Sequence, residues 1–337
     1  MQAFPSLSVV IPSWNQGRFI DRTLLSIFKQ DYPGTVEVIV SDGGSTDETV
    51  DVLKKYGDRL IWWSARDNGF VDAVTKGVAR ATGEILAIQS SDDYYLPGAF
   101  RAMAAAFHAH PEASFISGGE YAIDLEGNVM NSSCLEGDIT PYSILFQNVP
   151  PQHATFVKRT FFEETGGMRR EVDMCADIDQ WYRVAHLAPG RYTPDMLAVY
   201  QLHPDQRTTT SDKWYPNLVK MVELCEQEPR YGQKFRLSDD ERRNLYTYWE
   251  INWTGKRDIN AARPIAFRKL PALLSYSSRT QRMILGASVN LLLKKLLPNG
   301  LLVAMRPAQA VISAKSLKLD WWKDASVEFT LAGPKNK

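Results

Sequence analysis

Cysteine is scarce in this chain, and its three copies, Cys134, Cys175 and Cys225, are widely separated with no Cys-x-x-Cys pair. That spacing excludes a disulfide framework and a zinc knuckle. A long apolar run is missing as well: the most hydrophobic late segment, 283–305, is interrupted by Lys294, Lys295, Pro298, Asn299 and Gly300. A membrane-spanning helix needs roughly 20 consecutive apolar residues, so none is expected. The chain runs from Met1 through Pro5 straight into a strand-like segment, without the basic, apolar and small-residue succession of an export signal. A cytoplasmic protein is the expectation. Net charge is absent too, since 39 Lys and Arg balance 39 Asp and Glu, and nucleic acid is not an expected partner. There is no internal repeat and no low-complexity segment.

The balanced charge is unevenly spread. Residues 255–337 hold 15 Lys or Arg against 4 Asp or Glu, which leaves 24 bases and 35 acids in the first 254. An acidic body therefore carries a basic tail. In the first 120 residues short Val- and Ile-rich runs alternate with helix-period segments, the pattern of a mostly parallel sheet with helices on both faces. Strands are expected at 7–11, 36–41, 60–63, 84–89 and 114–117, and helices at 18–30, 46–56, 70–81 and 97–110. Antiparallel additions follow, with a turn in 121–130, a strand near 154–157, a helix near 178–186 and a strand near 191–201. From Trp214 onward the pattern is helical, with candidates at 215–226, 239–251, 261–274 and 279–297. This divides the chain into a domain over 1–205 and a mainly helical, basic region over 206–337.

In open α/β sheets ligands bind outside the carboxyl ends of the strands, so the polar residues that follow each apolar run matter most. Four such ends stand out: Pro12-Ser13-Trp14-Asn15; Ser41-Asp42-Gly43-Gly44-Ser45-Thr46-Asp47; Asp67-Asn68-Gly69; and Ser90-Ser91-Asp92-Asp93. Asp72-Ala73, Lys76-Gly77 and Asp177-Ile178-Asp179-Gln180-Trp181 complete an ordered series. Over residues 6–205 this series resembles family 2 of the glycosyltransferases, which have the GT-A fold, of the type that builds bacterial surface polysaccharide. A single segment of this kind is weak; several in order, each in strand context, are specific.

The resemblance implies an inverting enzyme that moves a sugar from a UDP-, GDP- or dTDP-linked donor to a glycan or polyprenyl-linked acceptor. It places the nucleotide-sugar half at about 1–120 and the acceptor half at about 121–205. Pro12, Ser13, Asn15, Asp42, Asp67, Asp72, Lys76 and Ser91 would line the nucleotide pocket. Two alternatives stay open beside that reading: Asp42 also suits a helix-capping loop, and Asp72 with Lys76 suits an (i, i+4) ion pair. Ser90-Ser91-Asp92 occupies the place of the family's Asp-x-Asp motif, with Ser90 replacing its first acid. Asp92 would then be the main ligand of a divalent cation, Mn²⁺ or Mg²⁺, both of which favour hard oxygen ligands. His203 would ligate that metal or pair with phosphate. Asp177 would be the general base, although Ala176 stands where the family has Glu; Asp179 is a rival base, and a structural helix cap is the third reading of Asp177. Asp93, Gln152, His153 and Trp181 would face sugar or acceptor. Trp14, Trp62, Trp63 and Trp181 can also be core or pocket wall.

Two other classes compete. A nucleotide-sugar-binding protein without turnover is motivated by Ser90 and Ala176. A nucleotidyltransferase ranks below it, because Pro12-Ser13-Trp14-Asn15-Gln16-Gly17 stands where a basic Gly-rich loop would be. The basic tail, over about 256–306, offers apolar and basic residues at near-helical spacing. It is expected either to lie on anionic membrane at the inner face of the cell membrane or to pack on the body.

Overall fold

Leu7–Ser13 forms strand β1 with every residue buried, as a continuous apolar run should when helices cover both faces of a parallel sheet. In the computed structural model, which describes residues 4–146, 149–207, 213–232 and 236–257, β1 lies between two parallel neighbours, β2 (Val36–Asp42) and β4 (Ile85–Ile88). β3 (Ile61–Ser64) adds to β2, again in parallel. The remaining strands are β5 (Tyr94–Tyr95), β6 (Phe115–Ile123), β7 (Val129–Ser133), β8 (Gly137–Ile139), β9 (Thr155–Lys158) and β10 (Gly190–Gln201). The sheet order is β3-β2-β1-β4-β9-β6-β10-β5, with β7 beside β6 and β8 beside β10. β9 is antiparallel to both β4 and β6, and β6 with β10 is parallel. This is the expected α/β architecture, with its parallel half over the first four strand–helix units.

The helices are α1 (Gly17–Phe28), α2 (Thr49–Lys54), α3 (Phe70–Val78), α4 (Ala99–Ala109), α5 (Pro141–Phe146), α6 (Arg159–Glu164) and α7 (Ala176–Leu187). α1 buries Phe19, Ile20, Leu24, Ile27 and Phe28 along one face, each worth about 1.5–3 kcal/mol on full burial. These join Val9, Ile11, Val38, Val40, Ala87 and the α4 residues Phe100 and Met103 in one core. α3 covers the opposite face, where a Cβ on Gly77 would come within 2.4 Å of Val10 Cγ1. α7 packs its Trp181 ring on Phe115, 5.6 Å between centroids.

Residues 4–141 and 150–206 belong to one compact unit, and 142–146, 149, 207, 213–232 and 236–257 to a second. The second contains α8 (Trp214–Gln227), α9 (Pro229–Gly232) and α10 (Asp239–Arg257), where helices were expected at 215–226 and 239–251. α8 buries Leu218, Met221, Val222 and Cys225 on one side. The helices expected at 261–274 and 279–297, and the tail over 256–306 beyond Arg257, lie outside the described residues.

Chain direction decides where the chemistry gathers. α1 and α3 follow β1 and β3 directly, and α7 leads into β10, so all three begin at the edge where β1, β2, β4 and β10 end. β9 is antiparallel and starts there. One rim therefore collects residues 12–15, 42–47, 67–72, 90–93, 152–153, 177 and 203.

Candidate active site

At the end of β1, Asn15 takes φ of 52°, a left-handed conformation that Asn adopts more readily than most residues. Its Oδ1 accepts the Thr46 N–H at 2.8 Å, and its own N–H donates to Ser45 Oγ at 2.7 Å. The loops after β1 and β2 are thereby tied together. Asp42 is fully buried beneath them. Its Oδ2 accepts from Gly44 N–H at 3.1 Å, Ser45 N–H at 2.9 Å and Ser64 Oγ at 2.6 Å, and its Oδ1 from Ser45 Oγ at 2.5 Å. Three donors converge on Oδ2 and one on Oδ1, so Asp42 holds the loop in shape from within, the helix-capping loop that the sequence also allowed, with room for one further donor at Oδ1. Pro12 and Ser13 are buried beside it, with Ser13 Oγ lacking a partner.

Asp67 is only partly covered. Its Oδ1 accepts the Gly69 N–H at 2.8 Å, while Oδ2 lies where a side chain at Gly43 would have to pass, 2.8 Å from the Cβ position. Asp72 is engaged elsewhere: Lys76 Nζ is 2.9 Å away, Arg170 pairs with its other oxygen, and the Asn68 N–H donates at 3.0 Å. Lys76, then these neighbours, hold the Asp72 carboxyl below the usual range. Asp72 and Lys76 thus form the (i, i+4) ion pair that the sequence allowed, with the Lys76 side chain 39% exposed. Trp14, at 65% exposure, is not core. Trp62 packs partly buried against the core, and Trp63 lies under Arg80, 4.0 Å from ring centroid to guanidinium carbon.

The segment after β4 is fixed from α1. Thr23 Oγ1 bonds the carbonyls of Ser91 and Asp93 at 2.9 and 2.6 Å, and Arg22 Nη2 donates to the Asp92 carbonyl at 2.7 Å. Arg22 Nη1 reaches Gln201 Oε1 at 2.7 Å, so one guanidinium holds both the β4 and β10 ends. The Ser91 side chain is buried at this junction, while Asp92 turns outward, with 17% of its side chain exposed. His203 Nε2 lies 2.9 Å from Asp92 Oδ2, and the His203 ring packs tilted against Phe19, 4.8 Å between centroids. Two residues 111 positions apart are thus paired at the rim.

Asp93 and His153 face inward from the same corner. Asp93 Oδ1 accepts the Gln201 N–H at 2.9 Å, and its other oxygen is 3.5 Å from His153 Nδ1. His153 Nε2 meets Glu120 Oε2 at 2.5 Å, and Tyr200 stacks on the imidazole at 5.3 Å. Burial pushes the Asp93 carboxyl up to about 7, with Asp92 adding and His153 opposing. For His153 burial works downward, but Asp93 and then Glu120 outweigh it and push the imidazole up to about 9. Asp93 and His153 form a buried charge chain instead of the expected open contact with sugar or acceptor. Gln152 is half-buried, and its Nε2 donates to the Ile88 carbonyl at 3.3 Å.

Asp177 stands in the first turn of α7 and is partly exposed. Asp179 is fully buried, 2.7 Å from the equally buried Arg183, which also donates to the carbonyls of Thr165 and Gly167. A carboxylate sealed this way cannot collect a proton from an acceptor, so Asp179 is removed as rival base. Trp181, 1% exposed against Phe115, is core and not an acceptor contact. Arg22, Glu120, Arg170 and Gln201 were not anticipated. Arg22 and Arg170 read in sequence as ordinary charged positions, and no local signal announces their partners 70 to 179 residues away. Among the described residues no set of three His, Cys, Asp or Glu side chains is assembled as a metal cage.

The glycosyl transferase family 2 model matches residues 8–174. A PGL/p-HBAD biosynthesis glycosyltransferase of Mycobacterium tuberculosis is 31% identical over 183 residues, which make up 52% of this chain and 68% of that protein. The chain spans 35% and 34% of the length of two uncharacterized glycosyltransferases of Rickettsia felis and Rickettsia conorii. S. aureus TarS 1–349, in a crystal structure with UDP-GlcNAc, superposes with a TM-score of 0.56 at 16% identity, covering 86% of this chain and 91% of that one. A mannosyltransferase from Pyrobaculum calidifontis, in complex with GDP-Man and Mn²⁺, gives 0.55 at 19% identity over 96% and 89%. The structural likenesses establish the GT-A fold.

Proposed function

The chain belongs to glycosyl transferase family 2, and from that premise we propose that it is an inverting enzyme using a nucleotide-sugar donor and a divalent cation. The observation that carries this reading is the Asp92–His203 pair, one carboxylate and one imidazole 2.9 Å apart where β4 and β10 end. Adjacent ligands of an octahedral ion with bonds of about 2.1 Å stand roughly 3 Å apart, so this pair fits two sites of a Mn²⁺ or Mg²⁺ shell. Phosphate oxygens and water complete such a shell, which accommodates Ser90 in place of a second acid. When bound, the cation acts as a Lewis acid on the leaving diphosphate.

The chain's own residues do the rest. The exposed indole of Trp14 offers a stacking face for the nucleobase, framed by the loop that Asn15 and Asp42 hold in shape and by the Asp67 carboxylate. Asp177 takes the proton of an acceptor hydroxyl as that oxygen attacks the anomeric carbon. The bond from that carbon to the diphosphate oxygen breaks, and the nucleoside diphosphate departs from the opposite face. Asp177 lies in the first turn of α7, where the helix dipole favours a carboxylate. The donors bound by the TarS and mannosyltransferase structures, UDP-GlcNAc and GDP-Man, support the donor class. The acceptor is a glycan or polyprenyl-linked chain of surface polysaccharide assembly, reached at the cytoplasmic face of the membrane.

Asp177→Asn tests the mechanism. Incubated with Mn²⁺ and UDP-, GDP- and dTDP-linked sugars, it should bind the donor that wild type binds but lose transfer to acceptors in membrane extracts by at least ~100-fold, the usual worth of a placed base. Equal loss of donor affinity and transfer removes Asp177 from the base role. Wild type that binds a donor but neither transfers nor slowly hydrolyses it would be a binding protein, the reading that Ser90 and Ala176 favour.

A further inference from the structure

Arg18 projects from the first turn of α1 and is exposed, and among the described residues no carboxylate pairs with it. Its guanidinium carbon lies 5.0 Å from the Phe19 ring centroid; Phe19 packs tilted against His203 at 4.8 Å, and His203 meets Asp92 at 2.9 Å. One helical turn further on, Arg22 shares that face and donates to the Asp92 carbonyl. Because α1 begins at the rim, Arg18 sits on the outer, solvent side of the Asp92–His203 corner, with Arg22 on the inner side. The two side chains have opposite fates for that reason. Arg22 is largely covered and its two terminal nitrogens donate to carbonyl and amide oxygens, whereas Arg18 presents its charge outward with an aromatic ring as its support.

A cation held in place without an acid suits an anion that arrives with the substrate. A diphosphate bound through a divalent cation on Asp92 and His203 would, together with the Asp92 carboxylate, carry more negative charge than that one ion neutralises. The planar guanidinium fork matches phosphate oxygens in bidentate fashion, and its cation–π contact with Phe19 limits the freedom lost on binding. We propose that Arg18 binds the diphosphate of the nucleotide-sugar donor and stabilises it as it leaves, a role that rests on the glycosyltransferase reading above. The alternative, a solvated surface arginine, predicts no effect on any ligand.

The full chain, with Mn²⁺ present, should be titrated calorimetrically with UDP, GDP and dTDP, and with the corresponding nucleosides. Arg18→Ala should weaken whichever nucleoside diphosphate wild type binds by about tenfold or more, as expected for loss of a charge-assisted hydrogen bond. Arg18→Lys should recover part of that loss, and the nucleoside should bind all three proteins alike. Since Arg18 is exposed, the unliganded melting temperatures should coincide. Equal diphosphate affinity in wild type and Arg18→Ala overturns the assignment while leaving the enzyme reading intact. A wild type that binds none of the three diphosphates overturns the enzyme reading, and this assignment with it.

Discussion

Single side chains divide here by which neighbours reach them. Asp42, Asp72 and Asp179 are acids engaged by their own loops or by Lys76, Arg170 and Arg183, while Asp67, Asp92 and Asp177 keep an exposed edge. His153 shows the energetic consequence of a filled interior. Its folded pKa of about 9 lies above the ordinary 6.5, so its stabilising contribution is complete below pH 6.5 and fades as pH rises through about 9. The raised Asp93 acts in the same direction at lower pH, lost stability accruing between about 3.8 and about 7. Urea midpoints of the wild-type protein should therefore fall from pH 7 to pH 9. In His153→Gln that upper part of the slope should vanish, with the midpoint already low at pH 7; a wild-type midpoint constant over that range would contradict the charge chain. The sequence placed His153 near the site but could not orient it, because its partners Asp93 and Glu120 come from different strand ends.

Among helices and strands, legibility followed buried periodicity. β1, β2, β4 and helices α1, α3 and α4 lie where the apolar patterns put them, since each buries a continuous run or a single face against one core. β5 and β8, two and three residues long, and α6 carry too little pattern to be read alone; pairing with β10 defines the two short strands. The α3–β1 packing near the site is close, and it depends on Gly77. Gly77→Ala gains up to ~1 kcal/mol of helix propensity but forces a methyl into Val10, and such overpacking costs about 1–3 kcal/mol. A net loss of stability in urea unfolding is expected, with recovery when Val10→Ala is added. A single variant more stable than wild type would show that α3 yields freely.

For the chain as a whole, the basic excess after residue 254 is the feature that composition alone supplies. No helix among the described residues is long and apolar enough to cross a membrane. Each base near an anionic surface is worth about 1 kcal/mol, and this stretch has a large surplus of them. Deleting residues 258–337 should move the protein from sedimenting membrane fractions into the supernatant at moderate salt; sedimentation unchanged by the deletion would assign the tail to packing or another partner. The order of strands and helices and the family resemblance were legible from residue order, because hydrophobic period and strand-end polarity are local properties. Which acid stays open, that His203 pairs with Asp92, and that Trp14 is exposed while Trp181 is buried came from the folded chain alone. Those outcomes depend on contacts between residues up to 111 positions apart, and no local pattern encodes such a distance.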